Sequence, residues 1–206
     1  MNPGGFVDKR KKGLERQMLV LKELAQNPRD MGTLFPSSSA LAGTMAGAVS
    51  PRMTKNGVFV ELGAGTGPVT EALLKRGIPA ERLIVIEKSP VLAECLLKRF
   101  PHVDIRCCGA EEMSVCLPER VRVNAIISSL PFRSLPREVS ISIMREVENT
   151  LSLGGIFVQF TYALVGKMPF IPTGFRKVRT RLVPFNVPPA KVEVYLKPRA
   201  KSAIAA

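Results

Sequence analysis

The sequence predicts an α/β protein with a seven-stranded, mostly parallel sheet that carries helices on both faces. Short apolar runs alternate with segments of helical periodicity from Val58 to Leu151. Repeated strand–helix units of this kind produce parallel sheets that are covered on both sides. The chain then closes with two strand-like segments around the proline-rich turn Pro184–Pro189. These two segments predict a final antiparallel pair.

The predicted elements follow one another without a long linker or an internal repeat. A proline suits the first turn of a helix, as at Pro68, and glycines follow a helix end, as at Gly154. The predicted strands are Val58–Leu62, Leu83–Glu87, Val103–Cys107, Val123–Ser129, Ile156–Tyr162, Phe175–Leu182 and Lys191–Leu196. The predicted helices between and before them are Ala40–Val49, Val69–Arg76, Pro90–Phe100 and Glu138–Leu151.

An N-terminal helical extension precedes the strands. Apolar residues from Leu14 to Ala25 recur at helical spacing, and basic residues surround them, so Gly13–Gln26 is predicted to be an amphipathic helix. Such a helix either packs on the α/β domain or lies on lipid. The predicted organisation is therefore an extension at residues 1–50, which faces a membrane or substrate, and an α/β domain at residues 51–200.

The charge of the chain implies an anionic partner. The 206 residues carry a formal net charge of +13. Part of the excess lies in a cluster at Lys9–Lys12, and from Lys167 onward nine basic residues accompany one acid, Glu193. Nucleic acid and an anionic membrane surface are the partners that such charge favours, and a solvated basic face is the alternative.

The composition also predicts the cellular compartment and argues against a metal site. No apolar run is long enough to cross a membrane, and the polar N-terminus does not fit a signal peptide, so a cytoplasmic location is predicted. The four cysteines are Cys95, Cys107, Cys108 and Cys116, and the one histidine is His102. Their spacing fits no zinc pattern, so we predict reduced thiols and no metal site.

A glycine-rich loop follows the first strand. Glycines at every second position from Gly63 to Gly67 let the backbone pass close to a ligand. The second strand ends in Glu87, where nucleotide-binding αβ units place the acid that accepts from ribose hydroxyls. Pro68 departs from the dinucleotide pattern. With Glu61 two residues upstream, the loop resembles motif I of the class I S-adenosylmethionine (SAM) methyltransferases, although another α/β nucleotide binder or an inactive relic remains an alternative.

That resemblance implies a SAM site at the carboxyl ends of the strands. Glu61 is expected to face the cationic amino end of SAM, and Glu87 the ribose. Gly109 stands where the family usually has an acid, so Ala110 and Glu111 are expected to line the adenine. The expected cofactor-binding residues are Glu61, Gly63, Ala64, Gly65, Gly67, Glu87, Lys88, Ala110, Glu111 and Ser129.

The segment SSLPF at Ser128–Phe132 follows the fourth strand, where methyltransferases meet their acceptor. N6-adenine methyltransferases place Asn or Asp before a Pro-aromatic pair there. Ser129 weakens that reading and suits another amine. The expected catalytic residues are Ser129, Phe132 and Tyr162, with Tyr162 contacting the acceptor.

The chain as a whole resembles the bacterial phospholipid N-methyltransferases, which are related to the rRNA adenine dimethyltransferases. The resemblance runs from about Asn27 to Lys197. Five segments carry it: FPSSSALA at Phe35–Ala42, VELGAGTGPVT at Val60–Thr70, SLPF at Ser129–Phe132, QFTY at Gln159–Tyr162 and VPPAKV at Val187–Val192.

This resemblance implies a Rossmann-like methyltransferase that methylates the amine of phosphatidylethanolamine or its methylated derivatives. It also implies a monomer that binds reversibly to the anionic inner face of the cell membrane. Some relatives methylate ornithine lipids, and an rRNA adenine N6-methyltransferase is the alternative function. Gly109 and an N-terminal helix without tryptophan depart from the family pattern.

Overall fold

Seven strands form one sheet in the computed structural model, which describes residues 39–53, 57–186 and 188–199. In chain order, β1 to β7 are Val58–Leu62, Leu83–Glu87, Asp104–Cys107, Val123–Ser128, Leu151–Thr161, Arg176–Val183 and Ala190–Leu196. Their order across the sheet is β3-β2-β1-β4-β5-β7-β6. Strands β1 to β5 are parallel, and β7 is antiparallel to β5 and β6. The predicted fold class is confirmed.

Helices cover both faces of this sheet. In chain order, α1 to α5 are Ser39–Ala46, Pro68–Lys75, Pro90–Arg99, Met113–Cys116 and Arg137–Thr150. Helices α1, α2 and α3 contribute to one hydrophobic core, and α4 and α5 contribute to a second one. Alternate residues of β1 enter different cores, Phe59 the first and Val60 the second, as expected for a strand buried on both sides.

The helix α1 belongs to the core of the α/β unit, although it lies within the predicted N-terminal extension. Its Leu41 and Met45 are fully buried together with residues of α2 and β1. The predicted amphipathic helix Gly13–Gln26 lies outside the described residues. No helix in the described part of the chain combines the length and apolarity needed to cross a membrane.

Strand β5 begins earlier than predicted. Gly154 was expected to follow a helix end in a loop, but the strand already starts at Leu151. Gly154 adopts a φ of 81° and donates its N–H to the Lys197 carbonyl at 2.7 Å, while Lys197 donates to the Gly155 carbonyl at 3.0 Å. Backbone pairing beside the end of β7 therefore draws the glycine pair into the sheet as an irregularity.

The expectation of reduced cysteines is wrong for one pair. Cys108 and Cys116 form a disulfide, while Cys95 and Cys107 are free and exposed. The segment between the paired cysteines contains a short 3-10 turn at Ala110–Glu112 and the single-turn helix α4. These two turns, which were not predicted, fold the chain back and bring Cys116 beside Cys108.

The topology places several chain segments at one edge of the sheet. The parallel strands β1, β4 and β5 end there at Leu62, Ser128 and Thr161. Strand β6 is parallel to β5, because both are antiparallel to β7. The turn between β6 and β7 therefore lies at the same carboxyl edge as the loops that follow β1, β4 and β5, which is where ligands bind in open α/β sheets.

Replacement of Leu41 by Ala tests whether α1 is part of the domain. Because Leu41 is fully buried, we expect a loss of about 2–5 kcal/mol in the free energy of unfolding, measured by urea denaturation. Leu97→Ala, at a half-exposed position of α3, is the control and should change it by about 0.5 kcal/mol at most. Equal effects of the two changes would contradict this packing.

Candidate active site

The glycine loop after β1 adopts the left-handed backbone conformation at three positions. Gly63, Gly65 and Gly67 have φ values of 68°, 59° and 86°. The Gly63 N–H donates to the Ile86 carbonyl of β2 at 2.8 Å, and the Gly67 N–H donates to the Ala64 carbonyl at 2.9 Å. These two hydrogen bonds fix the path of the loop between β1 and α2.

The three glycines differ in what surrounds them. A Cβ atom at Gly63 would lie 2.5 Å from Leu130 Cδ2, and one at Gly67 would lie 2.6 Å from Phe100 Cε2. Both positions therefore favour glycine, because a Cβ would displace a neighbouring side chain and because their φ values are left-handed. A Cβ at Gly65 would meet no atom within 4 Å. The loop thus presents an open backbone surface at Gly65, as a ligand cradle requires.

Glu87 is held over this loop by two backbone amides. Its Oε2 accepts from the Gly65 N–H at 2.9 Å, and its Oε1 accepts from the Ser89 N–H at 3.0 Å. The side chain is buried at the end of β2. The carboxylate therefore lies beside the open face of Gly65, as predicted for the acid that binds ribose hydroxyls.

Glu61 is a fully buried acid at the carboxyl end of β1. Thr70 Oγ1 of α2 donates to its Oε2 at 2.7 Å, and no described residue forms a hydrogen bond with its Oε1. Burial is the main cause that raises the pKa of Glu61 to about 8, and the nearby charge of Glu87 adds to the effect against the Thr70 hydrogen bond. A buried carboxyl oxygen without a partner marks a place for a polar or cationic group.

An acid occupies the space beside Gly109 although residue 109 itself has no side chain. A Cβ at Gly109 would lie 2.6 Å from Glu111 Cδ and 2.7 Å from both carboxylate oxygens of Glu111. Lys88 Nζ donates to Glu111 Oε1 at 2.8 Å. Burial raises the pKa of Glu111, but the hydrogen bond and charge of Lys88 outweigh it and lower the pKa. Ala110 is buried in the second hydrophobic core.

The loop after β4 is joined to the glycine loop through the backbone. The Ser129 N–H donates to the Leu62 carbonyl at 2.9 Å. Gln159 of β5 donates from Nε2 to the carbonyls of Leu130 and Phe160, each at 2.8 Å. Ser129 Oγ is buried and has no hydrogen-bond partner among the described residues. A polar hydroxyl is therefore presented at the edge where β1 and β4 end.

Gln159 is a positioning residue that the sequence analysis did not assign to the site. Its amide fixes the carbonyl of Leu130 in the loop that presents Ser129. The signal for it was a carboxamide within the otherwise apolar strand IFVQF at Ile156–Phe160. A buried amide in such a strand requires partners, and a loop carbonyl is one of them.

Two predicted catalytic residues have different surroundings. Phe132 is only 3% exposed and packs edge-on against Phe157 at a centroid distance of 6.5 Å. This burial favours a packing role, and a catalytic role for Phe132 stays a prediction. The Tyr162 ring lies edge-on to Phe160 at 5.3 Å. Burial raises the pKa of Tyr162 against a hydrogen bond with Asn186 in the β6–β7 turn, so Tyr162 is a neutral phenol at neutral pH.

The predicted site residues therefore fall into two groups that meet at Gly63 and Leu130. Ser129 and Tyr162 follow β4 and β5, while the residues predicted to bind the cofactor lie mainly around the ends of β1, β2 and β3. None of the described residues forms a cluster of His, Cys, Asp and Glu side chains that fits a metal ion.

Comparison with known proteins identifies the family. No family model matches the chain. An ornithine lipid N-methyltransferase of Singulisphaera acidiphila is 30% identical over 177 residues, which cover 84% of this chain and 91% of that enzyme. The chain belongs to the family of this enzyme. It is a SAM-dependent N-methyltransferase, and SAM is its cofactor.

More distant proteins share parts of the sequence or the fold. A probable ribosomal RNA small subunit methyltransferase A of Methanosarcina barkeri is 33% identical over 107 residues, which cover 52% of this chain but 34% of that protein. The N-methyltransferase NodS of Bradyrhizobium japonicum, solved with S-adenosyl-l-homocysteine, has a TM-score of 0.61 at 14% identity and covers 86% of this chain and 91% of its own. The latter likeness shows the fold.

The site residues fit the methyltransferase cofactor. Glu61 Oε1 is buried, has no hydrogen-bond partner within the described ranges and can face the cationic amino end of SAM. The backbone at Gly65 leaves room for close approach. The Glu87 carboxylate beside Gly65 is placed for hydroxyl groups. Glu111 supplies an acid next to Gly109, where an adenine amine would need an acceptor. The assignment of these residues to SAM remains a prediction.

Alanine substitutions at two glycines separate cofactor binding from folding. Gly65→Ala adds a methyl group in open space, so we expect a stability cost of only about 1 kcal/mol from the left-handed backbone but a loss of SAM affinity of about tenfold or more. Gly67→Ala adds overpacking against Phe100 and should cost about 1–3 kcal/mol beyond that strain. Calorimetric titration with SAM and thermal unfolding measure the two effects. Unchanged SAM affinity in Gly65→Ala would contradict the cradle.

The raised pKa of Glu61 predicts a pH-dependent stability. The folded protein keeps a proton on Glu61 up to about pH 8, whereas the unfolded chain releases it near 4.5. The stabilisation that comes from protonated Glu61 is therefore complete below its unfolded-state pKa and is lost as the pH rises toward its folded-state pKa. Between these two pKa values the free energy of unfolding should fall less in Glu61→Gln than in the wild type. The expected difference between the two falls is on the order of a few kcal/mol.

Urea unfolding of the free protein at several pH values within this window measures the difference. Glu119→Gln, at an exposed position, is the matched control and should keep the wild-type slope. A Glu61→Gln protein with that same slope would show that Glu61 is ionised in the folded state.

Proposed function

We propose that this enzyme methylates the amine of an ornithine lipid. The observation that carries the proposal is the 30% identity to an ornithine lipid N-methyltransferase, which spans 91% of that enzyme. A match of this extent includes the loops that follow β4 and β5 as well as the glycine loop. The proposed acceptor therefore rests on similarity over most of the chain and not on the cofactor motif alone.

Phosphatidylethanolamine is the second candidate acceptor within the same class of lipid amines. The motifs that resemble phospholipid N-methyltransferases support it, since its head group also ends in a primary amine. The similarity to an ornithine lipid enzyme, which covers 84% of this chain, outweighs these short segments. Both acceptors place an amine next to an anionic group at a membrane surface.

Ribosomal RNA is the acceptor of a different class. Its support is the match to rRNA methyltransferases, but that match covers 52% of this chain. Residue 129 is also a serine, whereas the N6-adenine motif has a carboxamide or carboxylate at this position to hold the adenine amine. A hydroxyl can instead accept a hydrogen bond from an alkyl amine, such as the amine of a lipid. These observations favour the lipid.

The chemistry requires a neutral amine next to an activated methyl group. Bound SAM supplies a methyl group on a sulfonium centre. An alkylammonium with a pKa near 10 loses its proton at neutral pH at a cost of about 4 kcal/mol, which is small beside the 8–23 kcal/mol by which enzymes typically lower barriers. A strong base is therefore not required, and water can take the proton.

The residues at the carboxyl edge then serve to orient the amine. Ser129 Oγ is buried and unpartnered among the described residues, so it can accept a hydrogen bond from the amine N–H. The neutral Tyr162 phenol lies at the end of β5, and its ring can face the methylated cation. Correct alignment of the nitrogen contributes much of the rate acceleration in such transfers.

Association with an anionic membrane surface completes the proposal. The net charge of +13 supports it, because basic residues near such a surface contribute about 1 kcal/mol each. The binding is peripheral in this proposal, and the enzyme collects SAM from the aqueous side.

Methyl-labelled SAM tests the acceptor directly. The full chain is incubated separately with vesicles that contain an ornithine lipid, with vesicles that contain phosphatidylethanolamine and with total rRNA. We expect label in the ornithine lipid, at a rate about tenfold or more above the other two, because specific orientation of the amine limits the rate. Label confined to rRNA would overturn the lipid proposal, and label confined to phosphatidylethanolamine would overturn the choice of head group. Glu87→Ala serves as the variant with impaired cofactor binding, and Glu81→Gln as its exposed control.

A further inference from the structure

Apolar side chains project into solvent at the carboxyl edge of the sheet, beside the site described above. Val165 in the segment that follows β5 is 87% exposed, and Phe185 in the β6–β7 turn is 89% exposed. Leu182 near the end of β6 is 65% exposed, and Leu164 is half-exposed. We call these four residues, Leu164, Val165, Leu182 and Phe185, the apolar rim. Exposed apolar groups that cluster at one edge indicate a contact surface.

Hydrogen bonds hold the two rim segments in place. Lys191 Nζ donates to the Gly166 carbonyl at 3.0 Å, directly after Val165. Asn186 Nδ2 donates to the Pro188 carbonyl at 2.7 Å, directly after Phe185, and the Asn186 side chain also forms a hydrogen bond with Tyr162. The exposed side chains are therefore presented by anchored backbone, and one anchor reaches a predicted catalytic residue.

The surroundings of the apolar rim are strongly basic. From Ala163 to Val192 the sequence contains six basic residues and no acid. Two of the six, Lys177 and Lys191, pair with the buried Glu193. Arg176, Arg179 and Arg181 are exposed along β6. No ion pair with another described residue is found for these three arginines. The surface beside the rim therefore carries positive charge that no acid in the described part of the chain pairs with.

We infer that the apolar rim, together with Arg179 and Arg181, docks the enzyme on an anionic lipid bilayer. This inference rests on the proposed function. The rim side chains enter the boundary between head groups and acyl chains, and the arginines bind lipid phosphates. The acceptor amine then reaches Ser129 and Tyr162 while its acyl chains remain in the bilayer.

The composition of the rim favours a bilayer over RNA. Three of its four members are aliphatic, and aliphatic groups gain by leaving water for acyl chains. Surfaces that bind single-stranded nucleic acid instead present aromatic platforms for base stacking within a basic groove. Phe185 alone is aromatic here. The positive charge is common to both partners, whereas the aliphatic side chains match lipid.

Sedimentation with vesicles that lack any amine acceptor tests the docking surface separately from catalysis. The vesicles contain phosphatidylcholine with about 30 mol% phosphatidylglycerol, so that the surface is anionic. The apolar test variant is the full chain with Val165→Ser and Phe185→Ser. Its matched control is Val115→Ser on α4, which replaces an equally exposed valine outside the rim (85% exposed).

A second pair of variants tests the charge. Arg179→Gln with Arg181→Gln changes the rim side, and Arg120→Gln with Arg122→Gln makes the same change in net charge before β4, at the opposite edge of the sheet. We expect each rim variant to lose about tenfold or more in vesicle binding, and each control to lose about twofold at most. Thermal unfolding and SAM affinity of the rim variants should match the wild type.

The outcomes separate this inference from the proposed function. Equal losses in rim and control variants would overturn the docking surface, even if ornithine lipid is methylated. A rim variant with wild-type vesicle binding but altered oligomeric mass would assign the surface to a second copy and overturn the inference. The inference would also be overturned if the wild type did not bind vesicles and the rim variants lost RNA binding instead. Selective loss of vesicle binding supports the surface even if the methylated amine is another lipid.

Discussion

The close approach of the backbone at the ends of β1 and β4 is the constraint on which the active site depends. Gly63 leaves no room for a Cβ because Leu130 fills that space, and the Ser129 amide is bonded to the Leu62 carbonyl. Both contacts join the loop predicted to hold the cofactor to the loop predicted to hold the acceptor. One backbone hydrogen bond and one close side-chain contact therefore set the relative position of the two loops that are predicted to hold donor and acceptor.

Buried polar residues connect the loops after β1 and β4 to other parts of the sheet and to its surface. Gln159 fixes the loop of Ser129 through the Leu130 carbonyl, and Glu193 on the neighbouring strand accepts from Tyr195 and pairs with Lys191. Lys191 in turn holds the segment that presents Val165. These side chains are buried within strands, where polar atoms require partners. Gln159 Nε2, Glu193 and Lys191 have them, whereas Gln159 Oε1 has none among the described residues. An ion pair and a hydrogen bond of Lys191 thus link Glu193, the register partner of Gln159, to the segment of the proposed membrane surface.

The sequence predicted the strands and long helices because their apolar periodicity and punctuation are local properties. It also predicted the glycine loop with Glu61 and Glu87, since their spacing along the chain implies proximity at one edge of a parallel sheet. Contacts that depend on how loops fold were not predictable. The carboxylate of Glu111 beside Gly109 and the disulfide of Cys108 both depend on turns between β3 and α5 that carry no strong periodic signal. The burial of Phe132 depends on packing against Phe157 from another strand.

The hydroxyl of Ser129 has a consequence for acceptor specificity if, as predicted, this residue meets the methyl acceptor. The fold uses the amide of this residue but makes no hydrogen bond to its side chain among the described residues. A change of side chain at position 129 therefore removes no hydrogen bond to a described residue, and the amide bond to Leu62 does not depend on the side chain. Relatives named as lipid and rRNA methyltransferases share sequence with this chain. Because the side chain at this position makes no hydrogen bond to a described residue, its replacement offers a route by which one fold accepts different methyl acceptors while the SAM site is unchanged.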